Sequence, residues 1–307
     1  MGTILGVAIP FFAVLLCGMA AARLRLLEGQ AVLGLNAFVF WFALPALLFH
    51  KVATTPFERL SSPGLYIAYE GSVLAVYALV FVAARWGFRL GVPQAAICAF
   101  AAAWGNVGYM GVPLLIAAFG EGAALPSVLA VVLDNLVLQS LTILILEASV
   151  GTDRGGVRVV LRAMLRNPLI IAVVAGAVVA FLDVELPRPV AGFLALLGPA
   201  AAPGALFALG ATLRARTLTA DVGLIGGITV AKLVVLPLIA LGALAVIPVP
   251  EDLVVPTILT AALPTAASVF VVAQRYGVLE GAVAGVVFVS HLAGILSLTV
   301  LLVLLGA

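Results

Sequence analysis

Trp104-Gly105-Asn106-Val107-Gly108-Tyr109-Met110-Gly111-Val112-Pro113 interrupts an apolar run that extends from Gln94 to Phe119. Glycine costs about 1 kcal/mol in a helix interior, and proline removes a backbone donor. A membrane helix therefore breaks here. Irregular backbone is tolerated at bilayer depth only where protein or a watery cavity satisfies its polar groups, so a broken span marks a candidate binding site.

The surrounding composition sets the environment. Of 307 residues, 65% are hydrophobic and 9% charged, against roughly 25% charged in soluble domains. Apolar runs of this length predict transmembrane helices, because a hydrocarbon core of about 30 Å needs about 20 helical residues. A net charge of +2 gives no reason to expect a nucleic-acid partner. Cys17 and Cys98 both lie in apolar runs with no ligand-like neighbour and read as buried free thiols, with no metal or disulfide implied. The first apolar run is followed, not preceded, by Arg23 and Arg25, so it reads as a retained span and not as a cleaved signal peptide.

Ten spans are expected, over residues 4–22, 31–49, 64–84, 94–119, 125–147, 168–182, 190–212, 222–246, 253–274 and 281–305. A polar loop is expected from His50 to Ser62, a turn at Gly120-Glu121-Gly122, and a helix cap at Asn167-Pro168. Between the fifth and sixth spans, Arg158, Arg162 and Arg166 recur at i+4. This spacing suits either a short helix on an anionic membrane surface or a basic topology loop. The turns after the odd-numbered spans carry Arg23, Arg25, Arg85, Arg89, Arg154, Arg158, Arg162, Arg166, Arg214, Arg216 and Arg275. The opposite turns carry only Lys51, Arg59 and Arg188. The arginine-rich side is therefore expected in the cytoplasm, with both termini outside.

The chain also repeats itself. Pro45-Ala46-Leu47-Leu48-Phe49 recurs as Pro203-Gly204-Ala205-Leu206-Phe207, and Phe119-Gly120 as Tyr276-Gly277. At these spacings Asn106 falls on Pro264, inside a second interruption at Leu263-Pro264-Thr265-Ala266-Ala267-Ser268, and Asp134 falls on His291. An odd number of spans per half forces the second half to enter from the other side. The expected fold is thus an all-α polytopic membrane protein of two inverted five-helix repeats, residues 1–150 and 151–307, with broken fourth and ninth spans. Half-helix starts carry partial positive charge and free N–H groups, which favour a carboxylate-bearing substrate.

Phe38-Val39-Phe40 leading to Leu44-Pro45-Ala46-Leu47-Leu48-Phe49, Gly105-Asn106-Val107-Gly108-Tyr109-Met110-Gly111-Val112-Pro113, Arg166-Asn167-Pro168, Ala262-Leu263-Pro264-Thr265-Ala266-Ala267 and Ala273-Gln274-Arg275-Tyr276-Gly277 together resemble the auxin efflux carrier family. They are most similar to its bacterial malonate- or permease-type members. The resemblance implies the fold of bile acid sodium symporters, with a scaffold from spans 1, 2, 6 and 7. Spans 3–5 and 8–10 would form a mobile transport domain in which spans 4 and 9 cross. It further implies transport of organic anions, dimers through the scaffold, and substrate near Asn106, Pro113, Pro264 and Thr265. The long cytoplasmic loop of the plant carriers is absent.

Residues at the breaks, Gly105, Asn106, Gly108, Tyr109, Pro113, Pro264, Thr265 and Ser268, are the candidate substrate site. Asn106 offers an amide, Thr265 and Ser268 offer hydroxyls, and Tyr109 offers a wall. Four ionisable residues fall within spans: Glu70, Asp134, Lys232 and His291. Each must pair or face a cavity, since insertion of Asp, Lys or Arg at a helix centre costs at least about 2.5 kcal/mol. Glu70 and Lys232 are expected to form an ion pair or a site for a coupling proton or sodium, and Asp134 and His291 to titrate together if close. The expected protein is a secondary carrier of small organic anions in a bacterial cytoplasmic membrane, contacting lipid and needing no cofactor. An intramembrane enzyme would need a catalytic set, and its nearest candidates, Ser290 and His291, are adjacent on a helix and face apart. A non-transporting ligand sensor would need an output domain, and none is visible.

Overall fold

A computed structural model of the chain describes residues 2–27, 29–150, 156–212 and 221–305. The chain ends, Arg154, Arg214, Arg216 and the junction expected between the halves lie outside the described residues. Among the described residues the structure is helical, and its only β feature is one isolated antiparallel bridge. We number the helices α1 (Gly2–Arg23), α2 (Gly29–Ala53), α3 (Phe57–Gly87), α4 (Val92–Ala103), α5 (Val107–Phe119), α6 (Glu121–Ser149) and α7 (Gly156–Leu165). They continue as α8 (Pro168–Phe181), α9 (Arg188–Thr212), α10 (Val222–Val246), α11 (Glu251–Ala261), α12 (Ser268–Tyr276) and α13 (Glu280–Leu304). Among the described residues six of these, α2, α3, α6, α9, α10 and α13, are long and apolar enough to cross a membrane.

Local chemistry explains where the helices begin and end. Asn167 caps α8, its Oδ1 accepting the Leu169 N–H at 3.0 Å, and Pro168 occupies the first turn, where its missing N–H is no loss. Gly120 turns the chain after α5 with φ +85, a conformation open to glycine. The loop expected from His50 is shorter than the sequence indicated, because α2 runs on to Ala53. Its end is satisfied locally, with the Thr54 and Thr55 hydroxyls donating to the His50 and Lys51 carbonyls at 2.7 and 2.6 Å.

Prolines inside spans leave a repeated signature. Wide π turns at Val39–Ala43, Val107–Gly111 and Ala231–Val235 each lead into a helix segment whose second residue is proline, Pro45, Pro113 or Pro237. Proline cannot donate to the preceding turn and crowds its carbonyl, and the wider turn accommodates both effects without ending the span.

Side-to-side packing draws on small residues. α1 lies along α9 so closely that a Cβ on Gly18 would collide with the Phe207 carbonyl, and one on Gly210 with the Leu15 carbonyl. Such close approach is how membrane helices gain van der Waals contact where lipid removes the hydrophobic drive. α8 lies along α2, α3 packs on α4 and α10, and α4 packs on α6. Ion pairs Lys51–Glu121 and Arg59–Asp252 tie α2 to the start of α6 and the start of α3 to the start of α11.

Candidate functional site

The two sequence interruptions meet. Residues 104–106 separate α4 from α5, residues 262–267 separate α11 from α12, and Gly105 pairs with Thr265 in the antiparallel bridge. The Asn106 N–H donates to the Pro264 carbonyl at 2.9 Å, and the Ala266 N–H donates to the Trp104 carbonyl at 3.2 Å. Each break thus supplies the backbone partners that the other lacks, which is what a buried, non-helical segment at this depth requires. Close approach of the two chains depends on small residues. A Cβ on Gly111 would fall 2.5 Å from Ser127 Oγ and 2.6 Å from Leu263 Cδ1.

Side chains satisfy the helix ends around this bridge. Thr265 is fully buried, and its hydroxyl donates to the Ala101 carbonyl in the last turn of α4 at 2.8 Å. Lys232, from the π turn of α10, is also fully buried and donates Nζ to the Ala261 carbonyl at the end of α11, 2.8 Å away. A helix C-terminus carries orphan carbonyls and partial negative charge, so a hydroxyl and an ammonium are suited partners. A Cβ on Gly105 would lie 3.4 Å from Lys232 Nζ, which sets the ammonium against the other break as well.

α13 braces both breaks. Ser290 Oγ accepts the Thr265 N–H at 3.2 Å. His291 Nδ1 lies 2.8 Å from the Val287 carbonyl and Nε2 lies 3.2 Å from Asn106 Nδ2. A carbonyl can only accept, so Nδ1 carries the hydrogen and Nε2 accepts from the Asn106 amide: a neutral ring assigned from its two bonds. Ser290 and His291 are therefore engaged with opposite breaks. The ring nitrogens of His291 are thus taken up by Asn106 and the Val287 carbonyl, and no hydrogen bond joins His291 to Asp134 among the described residues.

Asp134 belongs to a different cluster. It starts the π turn Asp134–Gln139 in α6, is fully buried, and accepts from the Tyr69 hydroxyl at 3.3 Å through Oδ2. Glu70 and Lys232 are its electrostatic neighbours. The direct Glu70–Lys232 ion pair expected from sequence is absent among the described residues. Lys232 reaches the Ala261 carbonyl instead, while both Glu70 carboxylate oxygens and Asp134 Oδ1 are buried with no hydrogen-bond partner among the described residues. Two carboxyl groups and one lysine amine are thus buried beside the breaks.

The remaining candidates are more peripheral. Tyr109, partly buried, sends its hydroxyl toward the Asn36 carbonyl on α2 at 3.5 Å. Gly108 and Pro113 are buried in the first turns of α5, Pro264 is buried at the bridge, and Ser268 is exposed at the start of α12. Tyr69 and the Ser127–Thr260 hydroxyl pair, 2.9 Å apart between α6 and α11, were not picked out from the sequence, and Ser290 was weighed there only as a catalytic candidate. Their only sequence signal is a hydroxyl inside an apolar span.

Paired, buried helix interruptions within a bundle of long apolar helices define an integral membrane transporter. The chain belongs to the membrane transport protein family, that of the auxin efflux carriers, which it matches over residues 3–302. It is a transporter and not an enzyme. A Rhizobium meliloti (strain 1021) protein named "Putative malonate transporter" is 36% identical over 309 residues, 99% of this chain and 97% of the relative. The "Uncharacterized transporter YfdV" of Escherichia coli (strain K12) is 23% identical over 282 residues, covering 89% of this chain and 88% of that protein. The Shigella flexneri protein of the same name matches equally.

Proposed function

We propose that this chain is a secondary carrier of small carboxylate anions, working by alternating access. The observation that carries the reading is the Gly105–Thr265 bridge, which brings the starts of α5 and α12 to one place. The first N–H groups of a helix have no partner within it and attract an anion. The name borne by the Rhizobium relative favours a dicarboxylate such as malonate. Asn106, which keeps a second amide hydrogen beyond the one given to His291, would meet the anion together with Gly105, Gly108, Tyr109, Pro113, Pro264, Thr265 and Ser268.

The chain divides, in this reading, into inverted repeats at residues 1–150 and 151–307, giving ten membrane spans with α4–α5 and α11–α12 as the broken ones. The pairings α1–α9 and α2–α8 support a scaffold of those four helices, a candidate homodimer surface. α3–α6 and α10–α13 would move against it as an elevator. Glu70, Asp134 and Lys232 are the candidate coupling site for a proton or sodium, with His291 supporting Asn106. The arginine distribution favours a bacterial cytoplasmic membrane with both termini outside.

Uptake of labelled malonate, succinate and acetate into proteoliposomes, with and without proton and sodium gradients, tests the reading. Saturable uptake of a carboxylate that falls in Asn106→Ala is the expected result. Lack of uptake of all three anions under every gradient would overturn it.

A further inference from the structure

Helix α7 is left unexplained by the transport reading, and its two sides differ sharply. Val160 is buried, and Met164 faces the protein with its sulfur 3.8 Å from the Ser140 hydroxyl of α6. The opposite face is exposed and carries Arg158, Leu161, Arg162 and Leu165, with Arg166 in the turn that follows. At about 100° per residue, Leu161 and Leu165 form one edge of that face and Arg158 and Arg162 the adjoining edge, with Arg166 continuing the basic side. None of the three guanidinium groups has an ion-pair partner among the described residues.

A helix in water gains nothing by exposing leucines at 52% and 76%, and one in hydrocarbon cannot expose arginines. A leucine edge beside an arginine edge, on a helix whose third side rests on protein, fits one place only. That place is the boundary where acyl chains meet headgroups. The arginine excess on this side of the chain fits the anionic cytoplasmic leaflet. We infer that α7 is a lipid-binding surface: it lies in the membrane plane with Leu161 and Leu165 among acyl chains and Arg158, Arg162 and Arg166 holding the phosphates of anionic phospholipids.

The helix also sits at a joint. It precedes α8 directly, and the Asn167 N–H donates to the Met164 carbonyl at 3.1 Å. Asn167 Nδ2 in turn donates to Asn135 Oδ1 of α6 at 3.1 Å. Lipid bound at α7 would lie next to the α6–α8 contact, and the binding itself does not depend on which anion is carried.

The test uses the full chain in detergent, titrated with phosphatidylglycerol or phosphatidylcholine in mixed micelles, with the melting midpoint as readout. Phosphatidylglycerol raises the midpoint and phosphatidylcholine does not. In R158Q/R162Q/R166Q the half-saturating phosphatidylglycerol concentration rises roughly a hundredfold, from about fivefold per guanidinium near an anionic surface. The variant melts at the wild-type temperature in phosphatidylcholine, because the three side chains are exposed and form no ion pair among the described residues. R158K/R162K/R166K keeps most of the affinity, since charge carries the interaction. Wild-type affinity in the glutamine variant would overturn the assignment, as would equal stabilisation by soluble glycerol phosphate, which would mark an ion site and not a lipid surface.

Discussion

Replacing Lys232 by Met removes an ammonium at the point where three requirements converge. Nζ satisfies the Ala261 carbonyl at 2.8 Å, abuts Gly105, and is an electrostatic neighbour of Asp134. A hydrogen bond to a charged group contributes about 1.5–3 kcal/mol, and breaking a buried charge pair by removing one member costs about 3–5 kcal/mol because the other is stranded. Asp134 keeps the Tyr69 hydroxyl and does not contact Nζ directly, so the lower end applies, about 3 kcal/mol. For a chain of 307 residues, at about 2.1 cal/mol/K per residue, each kcal/mol moves the melting midpoint by about 1.5 °C, which predicts a fall of about 4–5 °C. Thermal melting of detergent-purified protein reads it. Adding Asp134→Asn to Lys232→Met removes the stranded charge and recovers at least about 1 kcal/mol of the loss, a coupling that a double-mutant cycle isolates. A single variant melting within about 1 °C of wild type, or a strictly additive double variant, would refute the account of Lys232 as the cation that holds the end of α11 and balances Asp134.

Three further outcomes are expected. Gly111→Ala places a methyl 2.5 Å from Ser127 Oγ and destabilises by about 1–3 kcal/mol; Ser127→Ala in that background restores part of the loss, as thermal melting will register. His291→Ala leaves Asn106 without its ring partner and lowers carboxylate uptake about tenfold, the equivalent of about 1.4 kcal/mol, whereas His291→Gln, which still offers an acceptor, retains more. Lys51→Ala, despite breaking the Lys51–Glu121 pair between α2 and α6, changes stability by less than about 1 kcal/mol, because the Glu121 side chain is 74% exposed; a midpoint that is insensitive to salt in wild type and variant alike agrees with this.

The membrane character of the chain, its helix breaks and its caps were legible because each depends on local chemistry. Apolar runs, Gly and Pro at Gly105 to Pro113 and at Pro264, and Asn167 before Pro168 act within a few residues of where they stand. The π turns before Pro45, Pro113 and Pro237 were not foreseen, and proline alone does not decide them, since Pro256 sits inside a regular α-helix. Pairing between distant side chains was less legible. The alignment of the two halves set Asp134 against His291 and Glu70 near Lys232, but corresponding positions in a repeat need not be neighbours in space. His291 turned out to meet Asn106, and Lys232 to meet a backbone carbonyl, a partner that no residue pattern encodes.

Burial and the breaks follow from residue type and spacing, so the chain's own order of amino acids was enough to predict a membrane protein with a broken span at Asn106. Which groups close that break is a matter of distance across the fold. Non-helical backbone in an apolar interior must find donors and acceptors wherever the folded chain brings them. Here they come from Pro264 and Trp104 on the facing break, from Thr265 and Lys232 at the helix ends, and from Ser290 and His291 on α13.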